Sequence, residues 1–325
     1  MPAGRFVGFS GDSGTGKTLI VNKILGIAQK NGITPVIWDT ETAVDEKSAV
    51  SIGLDPTRTK YMPVQTVTDC RNQISKFLDR VIENKLYGKF IISIDSLGNL
   101  CSSKELADIS DGKDAQDMGL RAKQLKSLFR TLTYKAAKAG VTILFTNHTY
   151  ADPGQMYPSL IKIQSGGTGA VYMSSVLVQL AKRNEKEGEG EFGGIEEHKL
   201  TEANKYSGCT LRALTTKNRF VPQFLETEIY LSFTNGLNRY SGLLAMAEAR
   251  GIVVKDGHRH NAGITFGKYT AGDSLGFAKN FTKDSLFFED YLIPLLDEKL
   301  KKDYAYYQET LPATDPDLIA DTTEE

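Results

Sequence analysis

Gly11, Asp12, Ser13, Gly14, Thr15, Gly16, Lys17 and Thr18 form the pattern G-x-x-x-x-G-K-T. Glycines at these positions let the backbone curl into a nest of N–H groups that fits phosphate oxygens. Lys17 reaches the β and γ oxygens, the Thr18 hydroxyl is placed to ligate Mg²⁺, and a helix N-terminus behind them adds partial positive charge. The apolar run Phe6-Val7-Gly8-Phe9 precedes this turn and a helical stretch from Leu19 to Gln29 follows it. That is the strand-loop-helix context the motif requires, so the chain is expected to bind ATP or GTP.

Four more strand ends carry chemistry. Lys89 to Ser96 reads as a buried strand whose Asp95 follows four apolar residues, a Walker B pattern in which the carboxylate holds Mg²⁺ through water. Thr34 to Trp38 reads as another, ending in Asp39-Thr40-Glu41. In an open parallel sheet such ends face the ligand crevice, so Glu41 is either a general base for water attack on a γ-phosphate or a helix cap. Val141 to Phe145 leads into Thr146-Asn147-His148. His148 fits a γ-phosphate contact or a satisfied turn histidine. Thr210 to Thr216 ends in Lys217-Asn218-Arg219, whose cations are either solvated or inserted into a neighbouring subunit's nucleotide site.

The elements that must position these groups are legible from periodicity. Residues 67–84 and 118–139 show helical spacing of apolar residues, the second with basic residues on its other faces and no acid. Residues 101–118 are polar without an apolar period and read as a mobile loop. A long glycine- and proline-bearing loop is expected over 149–166, and a connecting hairpin or loop over 183–206. Strands alternate with helices up to residue 150 and then follow one another, which gives an α/β fold with a mainly parallel, mixed sheet. This core is expected to span 1–237, with a small α+β C-terminal domain at 238–308, where Pro294 should bend a helix, and a disordered acidic tail at 309–325.

Composition limits the remaining choices. With 325 residues, 40% apolar and 24% charged, the chain can bury a full core. A net charge of -1 means that any nucleic-acid binding comes from local loops or assembly rather than a uniformly basic surface. Cys70, Cys101 and Cys209 are widely spaced and form neither a disulfide framework nor a zinc site, which fits a reducing cytoplasmic setting. No run is long enough to span a bilayer, so no membrane partner is expected.

Several stretches together resemble the RecA-type recombinases, most closely the bacteriophage UvsX group. They are FIISIDSLGNL (Phe90 to Leu100), KSLFR (Lys126 to Arg130), NHTY (Asn147 to Tyr150), GGTG (Gly166 to Gly169) and YSGLLAM (Tyr240 to Met246). The resemblance is collinear over roughly residues 5–255. It implies a RecA-like P-loop ATPase core with ATP and Mg²⁺, in which Lys17 and Thr18 bind phosphates and metal, Asp95 is the Walker B acid and Glu41 the catalytic base. It further implies His148 as γ-phosphate sensor, residues 101–117 and 149–166 as DNA-binding loops, and Lys217 with Arg219 as cations supplied across a filament interface.

The implied function is a DNA-dependent ATPase and recombinase, a homo-oligomeric filament on single-stranded DNA that pairs it with homologous duplex DNA and exchanges strands. A single-stranded-DNA-binding protein and a loading mediator are its expected further partners. Two departures from the pattern stand out: the P-loop is strict where the UvsX group's is often degenerate, and the core strand starts at Phe6, where family members first carry an N-terminal helix and strand that dock on the next protomer. Three readings of the second are open: a truncated or split chain, a member that assembles otherwise, and a RecA-fold protein that builds no filament. The competing functions are a regulatory or accessory ATPase and a hexameric helicase motor.

Overall fold

Alternation of side chains along each central strand is what builds the core. The computed structural model describes residues 2–41, 49–50, 53–113, 118–150, 161–186 and 206–303. Strands β1 (Phe6–Gly11), β2 (Thr34–Asp39), β3 (Lys60–Pro63), β4 (Phe90–Asp95), β5 (Thr142–Tyr150) and β7 (Val176–Lys186) pair in parallel in the order β7-β1-β5-β4-β2-β3. Phe6, Trp38, Ile92, Ile94, Ile143 and Phe145 point to one face, while Val7, Phe9, Ile37, Ile91 and Leu144 point to the other. With both faces apolar, helices must cover both. Helix α1 (Lys17–Lys30) covers one with Ile20, Val21 and Leu25. Helices α2 (Val67–Glu83) and α4 (Met118–Ala139) cover the other with Ile74, Leu78, Leu128, Phe129 and Leu132.

Beyond β7 the sheet turns antiparallel through β8 (Tyr206–Asn218), β9 (Glu226–Ser232) and β10 (Gly236–Leu237), while β6 (Ile163–Gln164) pairs with the end of β5. The fold is therefore α/β with a mainly parallel, mixed sheet, of ten strands among the described residues. Among the described residues, no helix is long and apolar enough to cross a membrane.

Three local expectations need correction. The stretch read as a mobile loop over 101–118 contains helix α3 (Ser103–Ser110). None of its residues is buried, so it shows no apolar period, and a capping box starts it instead: Ser102 Oγ accepts from the Glu105 N–H at 3.0 Å while the Glu105 carboxylate accepts from the Ser102 N–H at 3.2 Å. Strand β5 continues through His148 to Tyr150, because its last residues pair with Gln164 and Ile163. That pairing puts a short strand inside the segment read as one long loop; residues 151–160, like 187–205 of the expected hairpin and the expected tail at 309–325, lie outside the described residues.

The chain divides into two compact units, the second beginning in the main at Tyr240. It holds a three-stranded antiparallel sheet, β11 (Val253–Asp256), β12 (Arg259–Ala262) and β13 (Ser274–Gly276), with helix Leu243–Ala249 and a helical run from Ser285 to Asp303. Its core gathers Phe281, Phe287, Phe288 and Leu292 around Tyr291, whose hydroxyl lies 2.8 Å from the Ile264 carbonyl oxygen and 3.0 Å from that of Ile252. The irregularity expected at Pro294 sits just before it, as a π-helical turn over Phe288–Leu292. Proline cannot donate the i→i−4 bond and its ring crowds the carbonyl four residues back, and the wider turn relieves both.

Phe129 packs edge-on against Phe6 at 4.9 Å and Phe145 at 5.5 Å between centroids, joining α4 to two central strands. Phe129→Ala should therefore destabilise the larger unit by about 3–5 kcal/mol. Urea unfolding followed by far-UV circular dichroism checks this, and a loss below about 1 kcal/mol would mean the cavity had collapsed or the packing is not as described.

Candidate nucleotide site

Strand β1 ends at Gly11, flanked in register by His148 on β5 and Leu180 on β7. Only glycine fits there: a Cβ would lie 2.5 Å from the Leu180 carbonyl oxygen and 2.7 Å from Thr15 Oγ1. Gly16, at φ 78°, adopts a left-handed conformation that reverses the chain into α1 without a side-chain cap, leaving the helix's first N–H groups aimed into the turn. Thr15 Oγ1 donates to the Asp12 carbonyl at 2.8 Å and closes the loop on itself. Lys17, buried, donates from Nζ to the carbonyls of Asp12 at 2.8 Å and Gly11 at 3.1 Å, which keeps the ammonium inside the curl. Burial pushes its pKa down, against the pull of Glu41, Asp95 and Asp12.

Across the cleft, β4 delivers Asp95, buried and bonded by the hydroxyls of Thr146 on β5 and Thr18 on α1. Burial raises its pKa, those two donors oppose the rise, and the charges of Glu41 and Asp39 add to it. Glu41 follows β2, whose Asp39 stands opposite Asp95 in register. Its Oε1 accepts from Ser96 Oγ and Asn99 Nδ2, each at 3.0 Å, and lies 3.7 Å from His148 Nε2. The cleft of about 310 Å³ is lined by the loop residues Ser13, Gly14 and Gly16, by Lys17 and Thr18, and by Glu41, Asp95 and His148. Thus a phosphate-binding turn, a buried acid, a half-exposed carboxylate and an imidazole converge on one open volume.

Asp12 faces a different neighbour. Its carboxylate pairs with Lys162 at 2.6 Å and accepts from Thr149 Oγ1 at 3.2 Å, which ties the phosphate-binding turn to the strand pair β5–β6. Buried Asn147 braces the same pair by donating to the Ser165 carbonyl at 3.0 Å. His148 is therefore held on a strand that is hydrogen-bonded on both sides.

Lys217 and Arg219 are not brought to this cleft. Lys217 stands opposite Leu177, near the start of β7, whereas Leu180 further along β7 stands opposite Gly11. Both cations cap the short helix α5 (Gly169–Met173): Lys217 Nζ donates to the carbonyls of Val171 at 2.6 Å and Tyr172 at 2.7 Å, and Arg219 to that of Tyr172 at 3.0 Å. Ser96, Asn99, Thr146 and Lys162 join the site as partners not expected from the sequence. The S-x-x-E pattern of α3 had a local signal, but these four have none, since each meets its partner only through the sheet.

The Asp12–Lys162 contact sets a pH expectation. Lys162 is the largest cause holding the Asp12 carboxyl below its ordinary value of 3.8, so the pair's stabilisation is complete above that value and lost as pH falls through the depressed one. A carboxyl-carbon NMR titration should find the Asp12 midpoint below 3.8, and Lys162→Ala should move it upward. An unchanged midpoint in that variant would remove the ion pair from the account.

The family model described as the RecA N-terminal domain matches residues 1–238. The recombination and repair protein of Enterobacteria phage T4 is 31% identical over 220 residues, which are 68% of this chain and 51% of that protein. Protein RecA of Leptospira meyeri is 25% identical over 284 residues, 87% of this chain and 65% of that protein. Protein RecA of Thermus aquaticus is 24% identical over 284 residues, 87% of this chain and 76% of its own length. The chain thus spans about half the length of the phage protein and about two thirds of the Leptospira one. With its phosphate-binding turn, buried strand-end acid and mixed sheet inside a match that runs over residues 1–238 of 325, the chain belongs to the RecA family.

Proposed function

We propose that this protein is an ATP-dependent DNA recombinase, which assembles on single-stranded DNA, pairs it with homologous duplex and exchanges strands. The observation that carries this reading is the single cleft shared by Lys17, Asp95, Glu41 and His148, with His148 on the strand that runs directly into the 149–166 segment. Relatives named recombination and repair protein and Protein RecA support it.

In hydrolysis, the loop N–H groups and Lys17 bind the triphosphate, and Glu41 takes the proton of a water attacking the γ-phosphorus as ADP leaves. The donor set suits Mg²⁺, because the Thr18 hydroxyl and Asp95 carboxylate are hard oxygens joined by a hydrogen bond, with Asp39 and Glu41 adding negative charge nearby. Among the described residues no group of three or more His, Cys, Asp or Glu side chains could hold a metal, which fits an ion completed by water and phosphate oxygens. When bound, Mg²⁺ supplies charge neutralisation on the phosphates. In this reading His148, whose Nε2 lies 3.7 Å from Glu41 Oε1, responds to the γ-phosphate and passes its presence along β5. Lys217 and Arg219, distant from the cleft of their own chain, serve the site of a neighbouring protomer in this reading.

For DNA, the face of α4 presents exposed Lys123, Lys126 and Arg130 at helical spacing. The glycine turn 166–169 lies against it, since a Cβ on Gly169 would sit 3.5 Å from Lys126 Cα and one on Gly167 3.8 Å from Ala122 Cβ. Backbone N–H groups and cations side by side suit a phosphate backbone without reading bases.

Two measurements test the proposal. ATP hydrolysis should rise strongly with single-stranded DNA and fall roughly 100-fold or more in Glu41→Gln; slow hydrolysis indifferent to DNA would favour a regulatory ATPase. Replacing Lys123, Lys126 and Arg130 together by Ala should reduce the slope of log affinity for single-stranded DNA against log salt by about 2, three contacts at about 0.7 each. An unaltered slope would place the DNA elsewhere.

A further inference from the structure

Glu41 lies just past the end of β2, where a side chain on an irregular segment has rotamer freedom, yet it is gripped at both ends. From behind, Asp39, 1% exposed, accepts the Glu41 N–H on Oδ1 at 2.7 Å and the Tyr61 hydroxyl on Oδ2. Tyr61 stands on β3 opposite Ile37, so the outermost parallel strand reaches back to the residue that holds the Glu41 backbone. In front, Asn99 Nδ2 and Ser96 Oγ both donate to Oε1, Asn99 from the short 3₁₀ turn Leu97–Asn99 after β4. A general base acts only when its oxygen is aimed at the attacking water, and a displacement of about 1 Å can lower the rate roughly 100-fold.

We infer that Asn99 and Tyr61 are positioning residues for hydrolysis: Asn99 aims the Glu41 carboxylate, and Tyr61, through Asp39, fixes the backbone from which it extends. The inference rests on Glu41 being the base. Neither Asn99 nor Tyr61 lines the phosphate-binding cleft, so their effect falls on turnover and not on nucleotide affinity. The grip also differs in kind from the bonds that hold the loop. Asn99 is exposed and its amide serves no core, which leaves the Glu41 contact as the consequence of its placement.

The test compares the full chain with Asn99→Ala, Asn99→Asp, Tyr61→Phe, Glu41→Gln and the Asn99→Ala/Glu41→Gln pair, each with Mg-ATP and oligo-dT. Hydrolysis is read as kcat and KM, alongside affinity for a fluorescent ATP analogue and melting temperature. Asn99→Ala and Tyr61→Phe should each lower kcat about tenfold, with KM and analogue affinity within about twofold. Asn99→Asp, which puts a like charge beside Glu41 at an exposed position, should lower kcat at least as far without altering the fold. Because Asn99 acts through Glu41, adding Asn99→Ala to Glu41→Gln should change kcat no further. Wild-type kcat in Asn99→Ala and Asn99→Asp, or an undiminished further loss in the double variant, would overturn the positioning role. Wild-type hydrolysis by Glu41→Gln itself would instead remove Glu41 as the base, an outcome separable from the first because it is read on that variant alone.

Discussion

The register between β2 and β4 is the constraint on which the site depends. Asp39 stands opposite Asp95, and just beyond them the strands stay joined: the Thr40 N–H donates to the Asp95 carbonyl at 2.8 Å, while Thr40 Oγ1 accepts from the Ser96 N–H at 2.8 Å and donates to its carbonyl at 3.0 Å. That cross-brace carries Glu41 to Ser96 and Asn99. A slip of one residue would reverse every side chain on β2 between the two apolar layers, and so it is excluded by Val36, Ile37 and Trp38 as firmly as by the hydrogen bonds.

Electrostatically the cleft sits out of balance. Asp39 and Glu41 lie close enough to Asp95 to add to the rise in its pKa that burial causes, while Glu41, Asp95 and Asp12 all act on the Lys17 ammonium. A scaffold selected for stability alone would not concentrate carboxylates so; functional sites characteristically break such local rules. Burial penalises the charge of both Lys17 and Asp95, and in the proposed function a triphosphate with its divalent cation would add opposite charge beside each.

The same strands that hold the chemistry also carry its mechanical link. β5 contributes Thr146 to Asp95, His148 to the cleft and Thr149 to Asp12 within four consecutive residues, and its partner β6 follows Lys162, which pairs with Asp12 from the opposite side. The two contacts of Asp12 thus join the phosphate-binding turn to the β5–β6 strand pair.

What the sequence alone determined was whatever its neighbours along the chain dictate. Eight consecutive residues specify the phosphate-binding turn, two-residue alternation specifies strands with two buried faces, and an acid after an apolar run marks a strand end in the crevice. Helix α3 is not legible from periodicity because an end cap, and no apolar stripe, starts it, and the reach of β5 is not because its partner lies beyond a long connection. The tertiary structure decided which distant residues meet: Asn99 and Glu41 are 58 positions apart, Lys162 and Asp12 150, and Tyr61 and Asp39 22. It also aimed Lys217 and Arg219 at the last carbonyls of α5, away from the cleft, through the antiparallel register of β8 on β7. Short-range spacing is fixed by bond geometry and can be read directly, whereas strand order and register come from burying the whole apolar surface at once, which no local window contains.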